Sequence, residues 1–154
     1  MLPTRTVFVL AVLGTILLGC ASARQAPSSA MAPMEEIVNH PHSKDKAFTR
    51  AQRWAAQTFV SANEVIQMED RESGTLVMKG VRQMPIYGMI GEEGFFNYTL
   101  TLDIRDQKMR ITYDLEGWSD FPRDQARDVE KMKEYYENEL KPSLLSFVRE
   151  EDDF

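Results

Sequence analysis

Between Phe96 and Leu115, apolar and polar side chains change places at almost every step. Phe96, Tyr98, Leu100, Leu102 and Ile104 alternate with Asn97, Thr99, Thr101, Asp103 and Arg105; Met109, Ile111, Tyr113 and Leu115 then alternate with Arg110, Thr112 and Asp114. Successive side chains of a strand point to opposite faces, so this pattern specifies two strands with one buried and one wet face. Setting Ile104 opposite Met109 puts both apolar sets on one side and leaves Asp106-Gln107 at the turn, where a slip of one residue would drive a whole set into water. The rest of the chain must fit an antiparallel sheet with one face to cover.

Other segments supply the cover and the remaining strands. Residues 34–38 form a short candidate strand, and the loop Asn39-His40-Pro41-His42 follows. Ser43 is suited to cap a helix over 44–58, with Asp45 in its first turn and Ala47, Phe48, Ala51, Trp54, Ala55 and Phe59 recurring at helical spacing. The runs 64–69 and 75–83 read as a hairpin closed by Asp70-Arg71-Glu72-Ser73-Gly74, in which Gly74 can take a positive φ. A second helix is expected from a cap at Asp120, with Pro122 in its first turn and Ala126, Val129, Met132, Tyr136 and Leu140 as its stripe. Pro142 should kink or interrupt it before Leu144, Leu145 and Val148. The order is β-α-β-β-β-β-α with no internal repeat, an α+β domain in which two helices pack on one face of an antiparallel sheet.

The N-terminus has a different character. Residues 1–19 hold one basic residue, Arg5, and an apolar run over 7–18, the length of an export signal and short for a membrane span. The run ends Leu17-Leu18-Gly19-Cys20, which resembles the lipobox of bacterial lipoproteins. That resemblance implies cleavage before Cys20 and lipidation of its sulfur, so that the protein is anchored to a membrane without spanning it. The competing expectation is secretion to the periplasm after cleavage at Ala21-Ser22-Ala23. Residues 20–33, rich in Ala, Ser and Pro, read as a flexible tether, 34–150 as the domain and 151–154 as an acidic tail. Ala21 carries no retention charge, and by resemblance to lipoprotein sorting this favours the outer membrane over the inner. One cysteine allows no disulfide within the chain.

Charge limits the partners. The formal net charge is −6 and the pI about 5.0, so the basic surface of a nucleic-acid binder is missing. Losing Arg5 with the signal leaves 17 basic against 24 acidic residues, a formal −7, and such a domain stands off from an anionic lipid surface.

Ser43-Lys44-Asp45 through Arg53-Trp54, the run Ser61-Ala62-Asn63-Glu64-Val65-Ile66-Gln67-Met68-Glu69-Asp70, and residues 74–80 together resemble a bacterial domain of unknown function with a TATA-binding-protein-like (TBP-like) fold. The resemblance covers about residues 34–118. It implies a β-α-β4-α fold and a frequent place behind a signal or lipobox, and it implies no mechanism, because a shared shape does not carry DNA binding with it.

Catalytic chemistry is sparse. The two histidines, His40 and His42, stand before the first helix, and no imidazole or thiol follows. A nucleophile-histidine device or a typical zinc site is therefore not expected in the domain. With Glu35 or Glu36 the histidine pair could meet a metal, although a solvated loop is the simpler expectation. Glu92 with Glu93, or Asp114 with Glu116, could act as acid and base, but both pairs fall in or near expected loops where carboxylates are solvated. No Gly-rich phosphate loop is present, and no cofactor is expected. Trp54 belongs to the core stripe of its helix.

A non-catalytic binding or assembly module in the cell envelope, meeting a protein partner, is the function expected. The alternatives are a carrier of a small apolar ligand between sheet and helices, and more distantly a carboxylate-based hydrolase. The candidate partner contacts are Val77, Lys79, Thr99, Thr101 and Arg110 on the polar face, with Ile86, Tyr87 and Met89 of the apolar connection 84–91 at its rim. That connection is either a hairpin extension folded on the core or an exposed loop. Oligomeric state is not legible in the sequence.

Overall fold

The computed structural model describes residues 32–59, 65–86, 90–116 and 125–150. Cys20, the tether up to residue 31, Tyr87, Met89, Asp120, Pro122 and the acidic tail lie outside the described residues.

The elements run in the order β1 (Met34–Asn39), α1 (Lys44–Thr58), β2 (Ile66–Asp70), β3 (Thr75–Pro85), β4 (Glu93–Arg105), β5 (Lys108–Glu116), α2 (Gln125–Tyr135), a π-helical turn (Tyr136–Leu140) and α3 (Lys141–Arg149). The strands form one five-stranded open sheet in the order β1-β5-β4-β3-β2, and every neighbouring pair is antiparallel. Ile104 does face Met109, and Gln107 turns the chain with a φ of 63°. Gly74 turns the β2–β3 hairpin with a φ of 76°.

The apolar sets of β4 and β5 face the helices and are buried, together with Leu76 and Met78 of β3. Onto them pack Ala47, Phe48, Ala51, Trp54 and Ala55 of α1, Met132 of α2, Tyr136 and Leu140 of the π turn, and Leu144 and Val148 of α3. Each large side chain so buried contributes about 1.5–3 kcal/mol through the water it leaves. The aromatic centre is continuous: Tyr113 stacks on Tyr136 at 4.7 Å between ring centroids and lies 5.2 Å from Tyr98. Trp54, fully buried, donates from Nε1 to Ser143 Oγ at 2.9 Å, tying α1 to α3.

Three local expectations are corrected and one is refined. Strand β2 begins at Ile66 and β3 continues to Pro85, so Met84 and Pro85 belong to an extended hairpin. Pro142 interrupts the α-helix as expected but does not end the helical run: it sits in the first turn of α3, and the turn before it widens to a π-helix. The N–H of Lys141 reaches the carbonyl of Tyr136 five residues back, which passes the chain around a residue that cannot donate. Ser43 makes no side-chain cap on α1; the N–H of Lys44 goes to Asp106 Oδ1 at 2.7 Å. Finally, His40 and His42 do not stand in a solvated loop, being 5% and 8% exposed.

The histidine loop is buried because it is stitched to its surroundings. His40 N–H donates to the Gln107 carbonyl, and Gln107 N–H donates to that of His42. His42 Nε2 donates to the Glu150 carbonyl at 2.9 Å and Arg50 to that of Phe147 at 3.1 Å, so two side chains meet the carbonyl end of α3. Burial holds the His40 imidazole below its ordinary pKa of 6.5.

Candidate functional site: the outer sheet face and the cleft beside β3

The helices cover one face of the sheet, and no described element covers the other. Val77 pairs with Thr101 and Lys79 with Thr99, while Thr101 also faces Thr112 and Arg110 faces Asp103. Five of the expected contact residues, Val77, Lys79, Thr99, Thr101 and Arg110, are thereby brought onto this one face. Ile86 is not among them. It lies half-buried on the helix side of the β3–β4 ribbon, against Gly94, with its N–H on the Glu92 carbonyl.

Charge on the face is locally balanced. Glu116 Oε1 lies 2.8 Å from Lys79 Nζ and accepts Thr99 Oγ1 at 2.5 Å. These bonds, that of Lys79 first, hold the Glu116 carboxyl below the usual carboxylate range. Asp114 and Glu116 stand in the last three residues of β5, and Glu116 is committed to an ion pair and not poised as an acid. Glu93 accepts from Gln83 Nε2, also on this face. Arg110 pairs with Glu35 at 3.5 Å beside a recess of about 200 Å³ that Ile37, Asp103, Arg105 and Lys108 line with it. Among the described residues no three His, Cys, Asp or Glu side chains gather to hold a metal.

Apolar side chains interrupt this polar field. Ile37, Val81 and Phe95 are 61–64% exposed, and Met68 joins them opposite Val77. Phe95 was not among the expected contacts, although the alternation that turns Phe96 inward turns it outward, and its place opposite Gln83 puts it on this face.

A cleft of about 670 Å³ opens where β2 stops. Strand β2 pairs with β3 only up to Ile66 opposite Met78, whereas β3 runs seven residues further, to Pro85. Phe59 and Val65 form one bank of the cleft, Lys79, Gly80 and Val81 its floor, and Tyr98 and Tyr135 its inner wall. The guanidinium of Arg82 lies over the Tyr135 ring at 4.5 Å and reaches Glu139 at 3.4 Å, fixing α2 against the ribbon.

An open five-stranded antiparallel sheet with helices on one face places the domain in the TBP-like class of α+β folds. The family model described as "Domain of unknown function (DUF4468) with TBP-like fold" matches residues 35–114, more than half of the chain, and the chain belongs to that family. Among solved structures it is similar to a DUF4468 family protein from Bacteroides ovatus, with a TM-score of 0.58 at 10% identity over 79% of this chain and 88% of that one. It is also similar to a TBP-like protein from Parabacteroides distasonis, with a TM-score of 0.46 at 12% identity over 60% of each chain. No curated protein matches. The family's description assigns no activity.

Proposed function

We propose that the chain is an envelope lipoprotein, anchored through lipidated Cys20 to the outer membrane, whose domain is a non-catalytic binding or assembly module. The observation that carries this reading is the uncovered sheet face, where Ile37, Met68, Val81 and Phe95 stand exposed among Thr, Lys and Arg side chains. Apolar anchors within a polar field suit a protein partner. Against the carrier alternative stands the filled space between sheet and helices, where Trp54, Tyr98, Tyr113 and Tyr136 are at most 2% exposed. No described helix is long and apolar enough to cross a membrane, which accords with a lipid as the anchor.

Two measurements test the reading. Intact-mass analysis of the mature protein should find an acylated Cys20 at its start; a lipid-free chain beginning at Arg24 overturns the anchor. A photo-crosslinking residue at Thr101 should yield discrete adducts in intact cells, and one at Glu134 on the helical side should not. Absence of adducts from Thr101, or hydrolytic turnover lost on changing Asp114 or Glu116, overturns the module.

A further inference from the structure

At the closed end of the β4–β5 hairpin the two strands bring like charges together. Arg105 stands directly opposite Lys108, and Arg110 lies diagonally from Arg105 on the same face, opposite Asp103. Like charges directly opposite each other destabilise a ladder. On its other side β5 meets only Asn39 opposite Lys108 and Ile37 opposite Arg110, so β1 brings no acid directly against either cation. With Ile37 and Asp103 the three cations line the recess of about 200 Å³. The hairpin is described without a break from Glu93 to Glu116, turn included, so the recess owes its opening to the strands themselves.

The neighbours orient these cations without cancelling them. Arg105 donates from Nη1 to the carbonyls of Ser73 and Ile104, which fix the guanidinium and leave its charge in place. Lys108 makes no ion pair or hydrogen bond among the described residues. Arg110 Nε lies 3.5 Å from Glu35 Oε1, and both side chains are about half exposed. Asp103 turns Oδ1 to the Thr75 hydroxyl at 2.9 Å, and the nearby Asp106 is committed to the first N–H of α1. Three cations against Asp103 and Glu35 leave one positive charge over, on a chain whose net charge is −6. That surplus matches a single carboxylate better than a doubly charged phosphate, and a guanidinium fork fits a planar carboxylate.

We propose that this recess receives the carboxylate of an Asp or Glu side chain on the partner protein, with an apolar neighbour of that residue seated on Ile37. The proposal rests on the reading of the outer face as the binding surface and names the chemistry that the partner brings there. An exposed ion pair by itself holds little, so a free carboxylate in solution is a poor occupant. The recess keeps its guest only together with apolar contacts beside it. Ile37, on the rim of the recess and largely exposed, supplies the first of these, and Thr101 with Thr112 opposite it continues the face. In that arrangement the apolar contacts carry the affinity, and the charge fixes which way the partner lies.

The test is zero-length coupling with a water-soluble carbodiimide in isolated cell envelopes that hold the full chain, since an amide then forms only where a carboxylate touches an amine. Mass spectrometry should find Lys108 Nζ joined to an Asp or Glu of another protein, beside an apolar residue in that protein's sequence, and should find no such product at Lys133 of α2 on the helical side. Arg105→Gln with Arg110→Gln keeps the amine and should lower the yield at Lys108 several-fold. If that variant fails to fold, Ile37→Glu, which offers the recess a carboxylate of its own, should lower it in the same way. Coupling of Lys108 to Glu35, to Asp103 or to residues 151–153 of its own chain overturns the proposal, because the chain then fills the recess itself. A product that joins two copies gives the recess to a second copy and overturns it too. So does a yield indifferent to the substitutions, or no product at all. Adducts from Thr101 that persist without coupling at Lys108 would sink this inference and leave the binding module standing; loss of both would sink the two together.

Discussion

The carboxylate of Asp106, in the turn between β4 and β5, accepts the first N–H of α1 at Lys44 over 2.7 Å. A residue 62 positions away thus does what the neighbouring Ser43 is placed to do and does not. Charge favours the substitution, because a carboxylate meets both the free N–H and the positive end of the helix. Asp106→Ala should cost about 1 kcal/mol, and Ser43→Ala should stay within about 0.5 kcal/mol. Urea denaturation of the two variants side by side checks this, and a larger loss for Ser43→Ala would reverse the assignment.

The ring of Tyr98 lies directly against the Cα of Gly80 on the facing strand, in the space a Cβ would take. Tyr98 cannot retreat, because Tyr113 stands behind it at 5.2 Å. Gly80→Ala should therefore destabilise the domain by about 1–3 kcal/mol, as overpacking does. Adding Tyr98→Leu should make the loss less than the sum of the two single changes, measured as a double-mutant cycle in thermal unfolding.

Tyr113 presents the opposite case. Its hydroxyl is buried with no hydrogen-bond partner among the described residues, and burial raises its pKa well above that of a free phenol. Tyr113→Phe keeps the stacking on Tyr136 and removes an unsatisfied group. Stability should rise by about 1 kcal/mol. A fall on calorimetry would mean that the hydroxyl has a partner in solution.

Stability should depend on pH through His40. Burial depresses its folded pKa below 6.5, so once the pH falls under about 6.5 the unfolded chain binds more protons than the folded one. The contribution is present above 6.5 and is lost as the pH falls toward the depressed value. His40→Asn retains an acceptor near the Nδ1 that receives His42 N–H and removes the titration. Urea midpoints recorded from pH 8 to pH 5 should fall more steeply for the native chain than for this variant; parallel curves would rule the mechanism out.

Much of the architecture was legible because it is written in local periodicity. The alternation from Phe96 to Leu115 specified both strands, their buried face and their register, and the stripe from Ala47 to Ala55 placed α1 over the same residues the structure shows. Less was legible of the site. The outer positions of β4 and β5 followed from that alternation, and that of Phe95 follows from it too, one residue before the buried Phe96. Ile86, expected at the rim of the polar face, lies half-buried against Gly94, in a run of apolar residues with no period to mark which side is wet.

Covalent neighbours and the two- and 3.6-residue periods are properties of the chain alone, and they determined the element order, the sheet's two faces and the helical stripe. Pairing between distant segments decided the remainder. Asp106 reached Lys44, His42 reached the end of α3, and β2 ended at Ile66 while β3 ran on to Pro85. Each of these depends on where two segments come to lie in space, and neither segment's own composition contains that distance.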